Sequence, residues 1–404
     1  MDFFNDLILS KDNLKNNLKT IKHYACSKKI CAMVKANAYG HDLRFTVLNL
    51  KNDVDFFGVA NAVEALEVRN YTKKIKILVC GKVDKNNLKP LLENNVSLTV
   101  FSIKNLLELI CVCKKENLKA NIHIKLNTGM NRLGINSKST FLKALDLIYK
   151  HKNLVNLEGV YSHLFNADDL GLSHTQYNRF LNLLECINIY NKNIDLHINK
   201  KHKIGKYIKN RKCRLLNIYT KNDIKNKQKN AFEFKNLIIH LENSAGLFNK
   251  VDYLNICNMV RVGIALYGLE IKNKGLKPVL SLNSKIVQIQ NVKYEDYIGY
   301  GKTIIDHDGK VAIVPTGYAD GITKNYQNGF VLINSMPCKI LNVCMDSILV
   351  DVSNIKTKVG DEVNVISTNQ QKPNCVNNLA KHTKTISYEI VTNLHHRRFN
   401  IVYN

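Results

Sequence analysis

Short apolar runs and stretches of helical spacing alternate along the first two thirds of the chain. The apolar runs are Ile30–Val34, Phe56–Ala60, Ile75–Val79, Val96–Phe101, Asn121–Leu126, Leu157–Tyr161, Leu237–Leu241 and Met259–Val262. Between them, apolar residues recur three and four apart, as in Ala62–Arg69, Ser102–Cys113, Lys138–Tyr149 and His174–Ile189. Ser10 precedes Leu14, Leu18 and Ile21 at helical spacing and reads as a helix cap. Eight strands alternating with helices predict a parallel sheet closed as a (β/α)8 TIM barrel. An open doubly wound sheet would give a similar alternation, and the count of eight favours the barrel.

After residue 278 the helical period fades. Strand-like runs follow at Leu282–Val292, Val311–Val314, Phe330–Ile333, Cys338–Val343, Ile348–Val352 and Glu362–Ile366. Turn signals such as Asp308-Gly309 and Asn328-Gly329 separate them. Helices are expected near Cys375–His382 and Thr385–Leu394. The expected organisation is therefore an α/β barrel over residues 1–278 and a mainly β domain over 279–404.

Composition changes this picture little. The 404 residues carry 59 Lys+Arg against 33 Asp+Glu, a formal charge of +26. Such a charge is a first sign of a polyanion partner. Yet only nine of the cations are Arg, and Trp is absent, whereas nucleic-acid surfaces favour Arg interleaved with aromatics. Biased composition is the better account, and neither a nucleic-acid nor a membrane partner is expected. Residues 199–230 hold twelve Lys/Arg and one acid and read as a Lys/Asn-rich surface insertion. The eleven Cys show no metal-site spacing, so reduced thiols in a cytoplasmic protein are expected. No apolar run approaches a bilayer span, and the N-terminus lacks the features of a signal peptide.

Barrel enzymes place their chemistry at the C-terminal ends of the strands. There the first strand yields Lys35, which is followed by small residues and is placed to serve as a nucleophilic amine. The fifth runs into a turn with Gly129 and Gly134 that can present Arg132 to an anion. The sixth ends in Ser162-His163, the seventh in His240 through Gly246, and the eighth in Arg261 through Ala265. Small and polar residues after the last two strands suit a phosphate held by backbone N–H groups. An amine nucleophile beside a phosphate cradle suggests a pyridoxal phosphate site. Two other motifs fail. Gly299-Tyr300-Gly301-Lys302-Thr303 lacks the earlier Gly of a P-loop, and His395-His396 has no carboxylate or Cys to complete a metal site.

In order along the chain stand VKANAYGH, NTGMNRLG, HLENSAG, VRVGIALYG, GYGKT, PTGYADG and CMD. Together they resemble the alanine racemase family, over nearly all of the chain outside 199–230. The resemblance implies a pyridoxal 5'-phosphate enzyme, a barrel followed by a β domain, and a homodimer whose active site is shared across the interface. It implies that Lys35 holds the cofactor and is the base for one enantiomer, and that Tyr300 is the opposite base, from the other subunit. It gives Tyr39, Asn243 and Ser244, with the backbone N–H groups of Gly263 and Ile264, to the phosphate end. Arg132 would contact the substrate carboxylate, with Lys125 at a position that can be carbamylated to orient it. Arg261 would face the pyridine nitrogen, with His240 behind it and His163 reaching Tyr300. Tyr318 and Met345 would line the substrate entrance of the neighbouring subunit. Asp42 is expected to cap a helix, and Glu242 to point away from the phosphate or pair with a Lys. Some members place a phosphate-binding Tyr near the C-terminus; here that position is His396, and the role is not carried over.

The activity implied is interconversion of L- and D-alanine for peptidoglycan. Racemisation needs proton removal on one face of Cα and return on the other, hence two bases. A broad-specificity racemase of the same fold, acting on serine for example, is the near alternative. A non-catalytic nucleic-acid binder is the distant one, because it leaves the strand-end residues unexplained.

Overall fold

The first strand, β1 (Asp6–Leu9), does not enter the barrel. The barrel is built from β2 (Lys29–Met33), β3 (Phe56–Val59), β4 (Lys76–Val79), β5 (Ser97–Val100), β6 (Ala120–Lys125), β7 (Val155–Tyr161), β8 (Ile238–His240) and β9 (Met259–Val262). This is a computed structural model that describes residues 4–199, 236–271, 274–301 and 303–404. From residue 200 onward, the expected insertion lies outside the described residues. Neighbouring strands pair in parallel and in chain order, and β9 returns to pair with β2. The seam between β8 and β9 is tied by backbone bonds from Asn258 N to Ile239 O (2.9 Å) and from Arg261 N to Glu242 O (3.0 Å). The barrel is thus nearly closed, as the strand count predicts.

The helical segments are α1 (Lys11–Ala25), which leads into β2, and then the left-handed α2 (Lys35–Gly40), α3 (Leu43–Leu50), α4 (Ala62–Tyr71), α5 (Leu88–Glu93), α6 (Ile103–Glu116), α7 (Lys138–Lys150), α8 (Leu170–Asn199) and α9 (Ser244–Phe248) between barrel strands. Side-chain oxygens start several of them. Ser10, Asn61, Ser102 and Ser137 each accept from the backbone N–H three residues on, closing a free donor of the first turn. Leu14, Leu18 and Ile21 are buried on one face of α1, as their spacing predicts. Among the described residues no helix is long and apolar enough to cross a membrane.

The second sheet contains β10 (Leu280–Lys285), β11 (Gln288–Val292), β12 (Gly309–Val314), β13 (Phe330–Ile333), β14 (Met336–Val343), β15 (Ile348–Asp351), β16 (Glu362–Ile366) and β17 (Asn400–Tyr403), with helices α10 (Val376–His382) and α11 (Ser387–Thr392). Its order is β11-β12-β15-β14-β13-β16-β10-β1-β17. The single run expected at Leu282–Val292 is two strands. At Ile286 and Val287 the backbone changes partners, from Asp361 O to Ile313 O, so β10 lies on β16 and β11 on β12.

The expected division at 278 places residues 6–9 with the barrel. The structure instead sets β1 inside the second sheet, antiparallel to β10 and parallel to β17. Four residues are too few to show a period, and their partners lie far away in sequence, so the sequence pattern alone does not announce this strand. Leu7 and Leu9 are fully buried there. Leu7→Ala is expected to cost about 2–5 kcal/mol. A fall in the chemical-denaturation midpoint measures it, and an unchanged midpoint would contradict the placement of β1.

Candidate active site

Lys35 follows β2 at the start of α2. Ala36, Asn37, Ala38 and Tyr39 all have φ between 51° and 56°, a left-handed coil of four consecutive non-glycine residues. Each such residue costs roughly 1–2 kcal/mol, so the surroundings must hold the coil in place. Glu64, in the first turn of α4, accepts from Ala36 N (2.8 Å) with one oxygen and from Ala60 N (2.7 Å) with the other. Asn37 accepts from Leu43 N at 2.8 Å. His41 stacks on Tyr267 at 4.3 Å and donates from Nδ1 to the Tyr39 carbonyl at 2.8 Å. Burial pulls the His41 imidazole down to about 3, so the ring is neutral. Gly40 closes the coil against the second half of the chain, where an added Cβ would lie 1.9 Å from the Val391 carbonyl oxygen. His396 donates from Nε2 to the Gly40 carbonyl (2.9 Å) and thus acts on the coil. Asp42 caps α3 by accepting from Phe45 N, as expected.

The coil opens onto a cavity of ≈ 280 Å³ at the C-terminal ends of the barrel strands. Ten of the barrel residues proposed from the sequence line it: Lys35, Tyr39, Lys125, Arg132 and His163, then Asn243, Ser244, Arg261, Gly263 and Ile264, while His240 sits behind Arg261 outside the lining. Four of these are cationic side chains, and no carboxylate lines the wall among the described residues. This is an environment for an anion. Burial, together with Arg132, Arg261 and Lys35, depresses the Lys125 amine to about 8. Burial and the same cations push His163 well below its ordinary range and leave it neutral. Burial raises the Tyr39 phenol, which therefore keeps its proton as a donor.

Local chemistry places each group. Asn127 accepts from Gly129 N (3.1 Å) and Asn131 N (3.0 Å), closing the turn that carries Arg132. Asn243 caps α9 by accepting from Gly246 N (2.9 Å). Ser244 Oγ accepts from Gly263 N (3.1 Å) and Ala265 N (3.4 Å), joining the segments after β8 and β9 into one cradle. A Cβ on Gly263 would lie 2.4 Å from the Tyr39 hydroxyl, so this close approach requires glycine. Arg261 donates from Nη1 to His240 Nδ1 (2.7 Å) and from Nη2 to the carbonyls of Ser162 (2.7 Å) and Leu241 (3.1 Å). Glu242 does not line the cavity. It pairs with Lys28 at 2.7 Å, beside Asp252.

Three proposed residues stand apart. Tyr300, Tyr318 and Met345 do not line this cavity and are 65%, 38% and 51% exposed. Asn342 holds the Tyr300 loop through the carbonyls of Ile298 and Tyr300. Tyr318 and Met345 share one turn, in which Tyr318 N donates to Cys344 O and Ala319 N to Met345 O. Conversely, Tyr161, Cys80 and Tyr388 line the cavity without having been singled out. Tyr161 was legible, because it is the last residue of β7, two positions before His163. Tyr388 comes from α11 and packs against Tyr39 at 5.8 Å, a contact between distant parts of the chain that no local pattern signals.

Known proteins share this arrangement. The model of the alanine racemase N-terminal domain matches residues 9–198 and 217–271, and that of the C-terminal domain matches 279–403. An alanine racemase of Francisella philomiragia is 32% identical, with 97% of this chain and 98% of that protein aligned. One from Borreliella burgdorferi is 32% identical over 96% of this chain and 94% of the relative. Among solved structures, alanine racemase of Clostridium difficile superposes with a TM-score of 0.79 at 28% identity, covering 100% of this chain and 96% of that one. The Bacillus anthracis alanine racemase with bound L-Ala-P does so with 0.80 at 26%, with the same coverage. With both domain models matched in order across nearly the whole chain, this protein belongs to the alanine racemase family.

Proposed function

We propose that this chain is a cytoplasmic, pyridoxal phosphate-dependent racemase that interconverts L- and D-alanine and supplies D-alanine for peptidoglycan. One observation carries the reading. Lys35, Arg132, Arg261 and the Ser244 cradle converge on a single cavity whose wall holds no carboxylate among the described residues. The residues fit the cofactor. The Ser244 hydroxyl, the backbone N–H of Ile264 and the neutral Tyr39 phenol suit a phosphate, although the Gly263 N–H is bonded to Ser244 Oγ, and Gly263 leaves the phosphate room. Asn243 serves by capping α9 beneath that end. When bound, the cofactor supplies a conjugated ring that spreads the electron pair left at Cα.

The remaining steps fall to the chain's own groups. Lys35 Nζ holds the cofactor and then carries the Cα proton on one face. Tyr300 of the partner subunit carries it on the other face, which accounts for its distance from its own chain's cavity. His163 reaches that Tyr300, and Arg132 orients the substrate carboxylate by a charge-assisted pair. Tyr318 and Met345 narrow the entrance of the neighbouring subunit and set side-chain size. Arg261 would face the ring nitrogen and, being unable to give up its proton, would leave that nitrogen unprotonated, a weak electron sink that disfavours transamination.

A coupled assay with D-amino-acid oxidase tests the reading, with and without added cofactor. L-alanine left unracemised by cofactor-loaded protein would overturn it. Lys35→Ala is expected to abolish the visible absorbance of the lysine-bound cofactor. Tyr300→Phe should keep that absorbance but lose α-proton removal from L-alanine more than from D-alanine, and undiminished rates in both directions would contradict two bases. At pH 7 about a tenth of an amine titrating near 8 is neutral and able to take up CO2. Protein equilibrated with 13C-bicarbonate should therefore show a carbamate carbon that Lys125→Arg lacks, and uptake should rise as pH rises toward 8.

A further inference from the structure

The barrel interior beneath the cavity departs from the apolar stack usual in this architecture. A line of polar groups crosses it from Arg261 to the opposite rim. Arg261 Nη1 meets His240 Nδ1 at 2.7 Å. His240 Nε2 meets His123 Nδ1 at 2.8 Å, and His123 Nε2 meets Glu158 Oε2 at 3.1 Å. Glu158 also accepts from Ser97 Oγ and from Lys76 Nζ, each at 2.5 Å. Both imidazoles are fully buried, whereas the Lys76 side chain is half exposed at the start of β4.

The direction of every bond is fixed by chemistry. A guanidinium only donates. His240 Nδ1 therefore accepts, and the ring's proton sits on Nε2. His123 Nδ1 must accept that proton's bond, so its own proton sits on Nε2 and points at Glu158. Burial keeps both rings neutral, with Arg261 adding to the effect on each. Burial alone would raise the Glu158 carboxyl, but His123, Lys76 and Ser97 outweigh it and hold it at about 2.

We propose that Glu158, acting through His123 and His240, is a positioning residue that fixes the His240 tautomer and thereby the orientation of Arg261 at the cavity floor. The proposal rests on the reading of Arg261 as the cofactor's neighbour. The cost of losing Glu158 follows from the donor count. The His123 Nε2–H would be left in the barrel without an acceptor. Its repair is a shift of that proton to Nδ1. His240 Nε2 must then accept, its proton moves to Nδ1, and an N–H faces the Arg261 N–H. Two opposed donors displace the guanidinium. No proton is gained or lost, since each ring keeps one. Taking one partner out of a buried network is destabilising, and a loss of stability alone would leave each histidine's tautomer unchanged, so the diagnostic signature lies in tautomers and turnover.

The test is nitrogen-15 NMR of the full-length, cofactor-loaded protein with labelled histidine. His123 and His240 are each expected as one neutral Nε2–H species. Glu158→Leu should give His240 an Nδ1–H population and lower kcat about ten-fold with KM and cofactor content held. Glu158→Gln keeps an acceptor oxygen and should restore the original pattern. A wild-type His240 carrying its proton on Nδ1, or on both nitrogens, overturns the proposal even if no variant folds. So does a Glu158→Leu protein with unchanged histidine signals and unchanged kcat. An inactive protein with the expected wild-type tautomers would count against the racemase reading alone.

Discussion

The left-handed coil after β2 is the constraint around which the rest is arranged. Four non-glycine residues cannot hold that conformation by themselves. The coil persists because its backbone groups are taken up from several directions. Glu64 reaches it from α4, His41 is wedged under it by Tyr267, and His396 reaches it from the second half of the chain. The coil in turn sets both Lys35 and Tyr39 on the cavity wall. One strained segment thus joins the Lys35 amine and the Tyr39 phenol to both parts of the molecule.

Charge is arranged as deliberately as shape. The cavity gathers Lys35, Lys125, Arg132 and Arg261, and its nearest buried acids are turned elsewhere. Glu242 is neutralised by Lys28, and Glu158 closes the polar line beneath Arg261. Like charges gathered in a low-dielectric pocket repel. An anion binding there relieves that repulsion and stabilises the folded form by mass action. Ligand and fold are thus linked through the same four side chains.

Much of this was legible in the sequence, because strand ends are local. Lys35, Arg132, His163, Ser244 and Arg261 could be named from the residues that end or follow each apolar run, and the structure brings them together. The Ser10 and Asp42 caps and the Lys partner of Glu242 were readable for the same reason: each depends on a short-range rule or on charge balance. What escaped depends on distance. Tyr388 reaches the wall only because α11 folds back onto α2. The left-handed coil is carried mainly by Ala and Tyr, which do not advertise positive φ as glycine does, and one Asn does not announce four such residues in a row. The split of residues 282–292 comes from a change of partners, which a continuous apolar run hides.

The placement of β1 bears on the order of assembly. Asp6 and Asn400 are hydrogen-bonded partners 394 residues apart. A segment made among the first must therefore wait for one made much later before both of its edges are covered. Until then Leu7 and Leu9 have no sheet to enter, although the barrel that follows them can already close. The nascent chain thus carries an apolar, unpaired strand ahead of its barrel until the last residues are made.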